Sequence, residues 1–280
     1  MAVSAYRPYA VRVAAREELS PHFARVTFTA DDLAHLGWDG PDQRIKLLFP
    51  VPGEEVPAMR TYTTRYADPA NRRLVVDFVC HGDTGPATRW VNRAQAGDEL
   101  VVIAPDATLA DDAGGHEWHP GEATTLLLAA DESAVPAAAA ILESLDPGAR
   151  GAVFLEVPAA ADVLSLPAPA GIEVTWLARD TRPGAAHGEL LGAAVRAWAD
   201  EHVAASAPQP LEEPDGPAGV GDDILWEVPE APAAPGLYAW LAGEAGAITG
   251  LRRHLVSGLG IDRRRVAFMG YWRIGRAEAN

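Results

Sequence analysis

The sequence is short of cysteine, of lysine and of long apolar runs, and each shortage removes a class of function. Cys80 is the only cysteine in 280 residues. One thiol cannot form an internal disulfide, a Cys-x-x-Cys zinc site or an iron–sulfur cluster. One-electron chemistry in this chain therefore requires a bound organic cofactor. No window reaches the roughly 18 uninterrupted apolar residues of a membrane span. The N-terminal stretch MAVSAYRPYAVRV lacks the apolar core of a secretory signal. The cytoplasm is the expected location, and a monomer the default expectation. A Gly-x-Gly-x-x-Gly dinucleotide fingerprint is also missing from the expected nucleotide turn.

Positive charge is scarce as well. A net charge of −16 argues against nucleic acid and anionic membranes as partners. What positive charge there is lies unevenly: residues 252–280 hold seven arginines against Asp262 and Glu278. Such a basic end can receive an anion, or it can be a basic helix terminus with a solvated tail. Lys46 is the single lysine among 23 basic residues. It alternates with apolar neighbours in the segment RIKLLF, where a specific task and a place on a strand's wet face are both open.

What is present divides into two halves. Up to about residue 118, short alternating segments punctuated by Gly, Pro, Asp and Asn read as strands at 9–13, 22–28, 44–49, 60–66, 74–80 and 99–104. Six strands at this spacing predict a six-stranded antiparallel barrel, interrupted by a helix at 87–94. The second half alternates apolar strands (124–130, 152–157, 172–178, 237–242, 266–271) with helices, the signature of a Rossmann-like parallel sheet covered on both faces. The expected domains are 1–118 and 119–280. A Pro-, Gly- and acid-rich excursion occupies 204–235, and Ile224-Leu225-Trp226 within it is a candidate short docking strand. Ligands on such a sheet bind at the carboxyl ends of its strands.

Four segments carry candidate chemistry. The first is Arg60-Thr61-Tyr62-Thr63. On a strand Arg60 and Tyr62 share a face and Thr63 points across it. An arginine fork suits a pyrophosphate, a tyrosine ring can lie on an isoalloxazine, and a threonine hydroxyl or amide can bond flavin N5. The plain alternative is an exposed polar strand. The second runs from Asp77-Phe78-Val79-Cys80-His81-Gly82 to Gly85-Pro86-Ala87-Thr88, a flexible turn opening a helix, where backbone amides can meet a phosphate. The third is Ala242-Gly243-Glu244, and the fourth Gly270-Tyr271-Trp272-Arg273-Ile274-Gly275.

In this order and spacing the four segments resemble the siderophore-interacting proteins, a branch of the ferredoxin-reductase superfamily, over nearly the whole chain. The resemblance implies an FAD-binding barrel followed by an NAD(P)H-binding domain, and reduction of a ferric siderophore to release Fe(II) in the cytoplasm. It assigns FAD contacts to Arg60, Thr61, Tyr62, Thr63, Asp77, Phe78, Val79, His81, Gly82, Gly85, Pro86, Ala87 and Thr88. The family's Asp-Glu-Thr turn matches Asp131-Glu132-Ser133, with Asp131 and Ser133 facing nicotinamide and flavin; a simple helix-capping role competes. Gly243, Glu244, Tyr271 and Trp272 belong to the same cofactor site. Thr63, Lys46 and Arg273 are the catalytic candidates, the two cations as attractors of an anionic ferric chelate. Arg179 and Arg182 end a strand where a ribose or 2′-phosphate would lie, which favours NADPH over NADH, with Asp180 opposing. Two other functions remain open: a general flavin or electron-transfer reductase, and a non-catalytic siderophore carrier. His116-Glu117-Trp118-His119 has the wrong spacing for a zinc helix and reads as an interdomain linker, so no metal site is expected.

Overall fold

The computed structural model describes residues 5–80, 82, 85–109, 113–203, 226–229 and 231–276. The first sheet contains β1 (Tyr6–Ser20), β2 (Phe23–Thr29), β3 (Arg44–Phe49), β4 (Ala58–Thr63), β5 (Tyr66–Asp68), β6 (Arg73–Val79) and, after the short helix α1 (Pro86–Val91), β7 (Glu99–Pro105). All its pairings are antiparallel, in the order β4-β3-β7-β1-β2-β6-β5. Strict alternation decides which side chains fill it. In β3, Ile45, Leu47 and Phe49 are buried while Arg44, Lys46 and Leu48 lie on the other face.

The sheet has a seventh strand because the expected strand 60–66 breaks at Thr64-Arg65. These two residues are buried. Thr64 N–H donates to Gln43 O at 2.8 Å and Arg65 N–H to Val75 O at 2.9 Å. Only they separate β4 from β5, yet β4 and β5 lie at opposite edges of the sheet order. The sheet must therefore curl until its edges approach, and the result is a half-barrel around an apolar core.

The second sheet is built from β8 (Thr125–Ala130), α2 (Val135–Ser144), β9 (Arg150–Val157), β10 (Gly171–Ala178), α3 (Glu189–His202), β11 (Trp226–Glu227), β12 (Leu237–Glu244), α4 (Ala245–Arg253) and β13 (Val266–Trp272). Its order is β10-β9-β8-β12-β13-β11, parallel except for the edge strand β11. Both faces are covered, as the unbroken apolar runs demand. Leu126, Leu128 and Ala130 of β8 pack on the side of α2, and Leu127 and Ala129 on the side of α3 and α4. Trp226 does pair with Met269 in β11; Ile224, Leu225 and most of the excursion lie outside the described residues.

Buried polar contacts fix the two sheets to each other. Asp42, before β3, accepts from the Glu117 and Trp118 amides and from Trp240 Nε1 of β12 at 3.1 Å. Asp162, after β9, accepts from Ser20 Oγ at 2.8 Å and from the His22 amide at 3.0 Å. The Arg65 guanidinium meets the Glu143 carboxylate of α2 at 2.7 and 2.5 Å. Burying the Asp42 and Asp162 carboxylates or the Arg65 guanidinium without such partners would cost several kcal/mol each, so these contacts hold the relative placement of the sheets.

Candidate functional site

Between the sheets lies a cleft of about 730 Å³, within the roughly 300–1,000 Å³ typical of small-molecule sites. β4 supplies one wall. Because it is an edge strand, both of its faces border the opening, and Arg60, Thr61, Tyr62 and Thr63 all line it. The Tyr62 ring is backed by Phe78 at 4.6 Å and Phe49 at 6.0 Å, which hold its plane against the core. Lys46 stands opposite Thr61 in the β3–β4 pairing and donates to its hydroxyl. Two residues earlier on the same face, Arg44 also lines the cleft and pairs with Glu117 at 2.5 Å. The start of α1 contributes Gly85, Pro86, Ala87 and Thr88.

Period-two alternation sorts the β6 segment. Asp77 and Val79 line the cleft; Phe78 does not, since its side chain is fully buried in the barrel core beside Tyr62 and Trp90. The Asp77 carboxylate is already engaged, taking both forks of Arg25 at 2.7 and 2.8 Å with Arg65 at 3.6 Å. Gly82 is exposed in the turn that follows, away from the cleft lining, and His81 lies outside the described residues.

The parallel sheet supplies the opposite wall through Glu132, Ser133, Pro136, Gly270, Tyr271 and Trp272. Asp131 is not in the wall but organises it. Its buried carboxylate accepts from Ser133 N–H and Oγ, from Glu244 N–H at 2.7 Å and from Trp272 Nε1 at 2.9 Å. One side chain thus ties together the ends of β8, β12 and β13. Burial raises its pKa, with the neighbouring Glu132 charge adding to the effect. Gly243 is required by this arrangement: at φ +145° a Cβ there would sit 2.6 Å from the Asp131 carboxylate. Glu244 caps α4 by accepting from Ala247 N–H at 2.9 Å. Gly243 and Glu244 stand behind the wall and support it.

Arg179 sits in a cluster of ion pairs. Its guanidinium is closed by Glu132 at 2.7 and 2.8 Å and by Glu156 at 3.1 Å, so its charge is already matched. The exposed Arg182 pairs with Glu189. Burial alone would raise the Glu132 pKa, but the bonds from His187 and Arg179 outweigh it and hold the group at about 2. His187, itself raised above its ordinary value by Glu132 against the opposing effect of burial, sets its ring edge-on to Trp272 at 4.8 Å. Arg273 is half-buried just past β13 and is not part of the cleft lining. His116 and His119 touch at 5.0 Å within the connecting segment. Among the described residues no group of three or more His, Cys, Asp or Glu side chains is placed to hold a metal.

Four cleft residues had been given no site role from sequence. Arg44 had a signal, its same-face spacing from Lys46; Glu132 sat in a turn whose two flanking residues were singled out instead; Gly270 opened the fourth segment without a role of its own; Pro136 carries no chemical signature. The lining fits a flavin dinucleotide. It offers cations for phosphate, a braced aromatic ring, hydroxyls on β4, and open space at Gly85, where an added Cβ would meet nothing within 4 Å.

Comparison with known proteins agrees. Residues 123–275 match the family model for siderophore-interacting proteins, and residues 12–59 and 51–109 that for the siderophore-interacting FAD-binding domain. The chain is 31% identical to an uncharacterized protein of Mycobacterium tuberculosis, across 96% of this chain and 92% of that one. It is 29% identical to a ferric vibriobactin reductase of Vibrio cholerae, across 94% and 88%. The solved structure of a siderophore utilization protein from T. fusca covers 99% of this chain and 96% of its own, at 30% identity and a TM-score of 0.73.

Proposed function

The chain belongs to the siderophore-interacting protein family, and we propose that it is an FAD-dependent NAD(P)H:ferric-siderophore oxidoreductase that releases iron as Fe(II) in the cytoplasm. One observation carries this reading: sequence segments scattered from Lys46 to Trp272 converge on a single cleft between the two sheets. The similarity to a ferric vibriobactin reductase supports the choice of substrate class.

Bound there, FAD supplies the conversion of a two-electron hydride input into the one-electron output that Fe(III) accepts. The chain's own residues bind, orient and enclose. Arg60 holds the pyrophosphate with charge-assisted bonds, aided by the start of α1. Tyr62, braced by Phe49 and Phe78, presents a flat apolar face for the ring system. Thr63, 5% exposed and hydrogen-bonded through its side chain to Tyr271, would offer its amide to a bound flavin. Tyr271 and Trp272 exclude water from the opposite side. Lys46 presents positive charge to an anionic chelate, while the Arg44 charge is answered by Glu117. The protein need not ligate iron, because ferrous iron is held far more weakly by siderophores than ferric iron.

The test is spectroscopic. Purified protein should be yellow, bleach anaerobically with NADH or NADPH, and then reduce a ferric siderophore, read with a ferrous-specific chromogenic chelator. Faster turnover on free flavin than on ferric chelates would favour a general flavin reductase. A colourless protein that binds chelates without reducing them would favour a carrier.

A further inference from the structure

The carboxyl ends of β8, β9 and β10 and the start of α3 form one edge of the parallel sheet, where a dinucleotide's adenosine end belongs. Two arginines stand there, and each is already paired with a carboxylate, Arg179 in a buried cluster and Arg182 at the surface. Arg179 is closed by Glu132 and Glu156. Glu156 is fully buried and itself fixed by the Gly188 and Leu191 amides at 2.7 and 2.8 Å. It cannot swing away to release the guanidinium. Arg182 is paired with Glu189, and Asp180 adds a further carboxylate, which accepts from Ala160 N–H at 3.0 Å. His187 lies between Glu132 at 3.1 Å and Asp131 at 3.8 Å, so its charge too is answered.

We infer that this acid-rich edge selects an unphosphorylated adenosine ribose, and that the hydride donor is NADH rather than NADPH. A 2′-phosphate carries between one and two negative charges and would enter a field in which carboxylates outnumber guanidiniums. A neutral ribose hydroxyl can instead donate to the exposed carboxylates of Asp180 and Glu189. Glu132 and Glu189 are the specificity-determining residues, and the fully buried Glu156 acts only by fixing Arg179. The inference rests on the nicotinamide-dependent reaction proposed above.

The test titrates the purified full-length protein calorimetrically with 5′-AMP and with 2′-phospho-AMP, probes that need no flavin and no turnover. Wild-type protein should bind 5′-AMP about tenfold more tightly. Glu189→Gln, an exposed change that leaves the core intact, should narrow that ratio severalfold, and Glu132→Gln should narrow it further. Stopped-flow bleaching should show the same order for NADH and NADPH. Tighter binding of 2′-phospho-AMP, an unchanged ratio in Glu189→Gln, or no binding of either fragment overturns the inference. Chelate reduction by photoreduced flavoprotein, measured without nicotinamide, tests the proposed function separately.

Discussion

The half-barrel and the parallel sheet meet at the same cleft but contribute to it differently. On the barrel side most of the expected site residues reach the cleft themselves: Lys46, Arg60, Tyr62, Thr63 and Gly85 to Thr88 line it, while Phe78 and Gly82 do not. On the parallel side Asp131, Arg179, Gly243 and Glu244 stand behind the wall, where Asp131 bonds Ser133 and Trp272 and Arg179 fixes Glu132. The difference follows from architecture. An edge strand of an antiparallel sheet exposes consecutive side chains on both faces. The strand ends of a covered parallel sheet converge in a buried polar layer, where charges must be paired.

That contrast predicts where substitutions act on stability and where on binding. The largest effect should come from Gly243→Ala, which drives a Cβ into the Asp131 carboxylate and should cost about 2–4 kcal/mol by chemical denaturation. Next comes Glu132→Gln. The wild-type group is held near 2, below its ordinary 4.5. Its stabilisation is therefore full above the unfolded value and disappears as pH falls from about 4.5 towards 2. At neutral pH the variant should be less stable by about 3 kcal/mol, and the gap should close over that acid window. A constant gap from pH 2 to 7 would break this part of the comparison.

On the barrel side Arg60→Ala should leave the denaturation midpoint nearly unchanged and raise the FAD Kd about 10–100-fold, the worth of charge-assisted hydrogen bonds. A variant that keeps stoichiometric flavin would remove Arg60 from the phosphate role. Lys46→Met should have the smallest effect, raising KM for an anionic ferric chelate about two- to fivefold, with the difference fading at high salt.

Fold class was legible because the two halves obey different hydrophobic periods. The break at Thr64-Arg65 was not, because both residues are buried by partners remote in sequence, Gln43 and Glu143. The same cause hid the role of Arg179, whose carboxylate partners lie 47 and 23 residues away. A hint existed at Glu156, a lone carboxylate inside the apolar strand β9. The solitary lysine, Lys46, lies in the cleft lining. Arg273 looked equivalent from charge alone, but the chain turns after Trp272 and leaves it outside the lining.

The most direct measurement is a crystal structure of the protein grown with excess FAD. The account predicts a flavin seated between β4 and the end of β13, its ring on Tyr62 and its phosphates at Arg60 and α1. A cleft filled by the protein's own side chains, with FAD bound elsewhere or not at all, would contradict it.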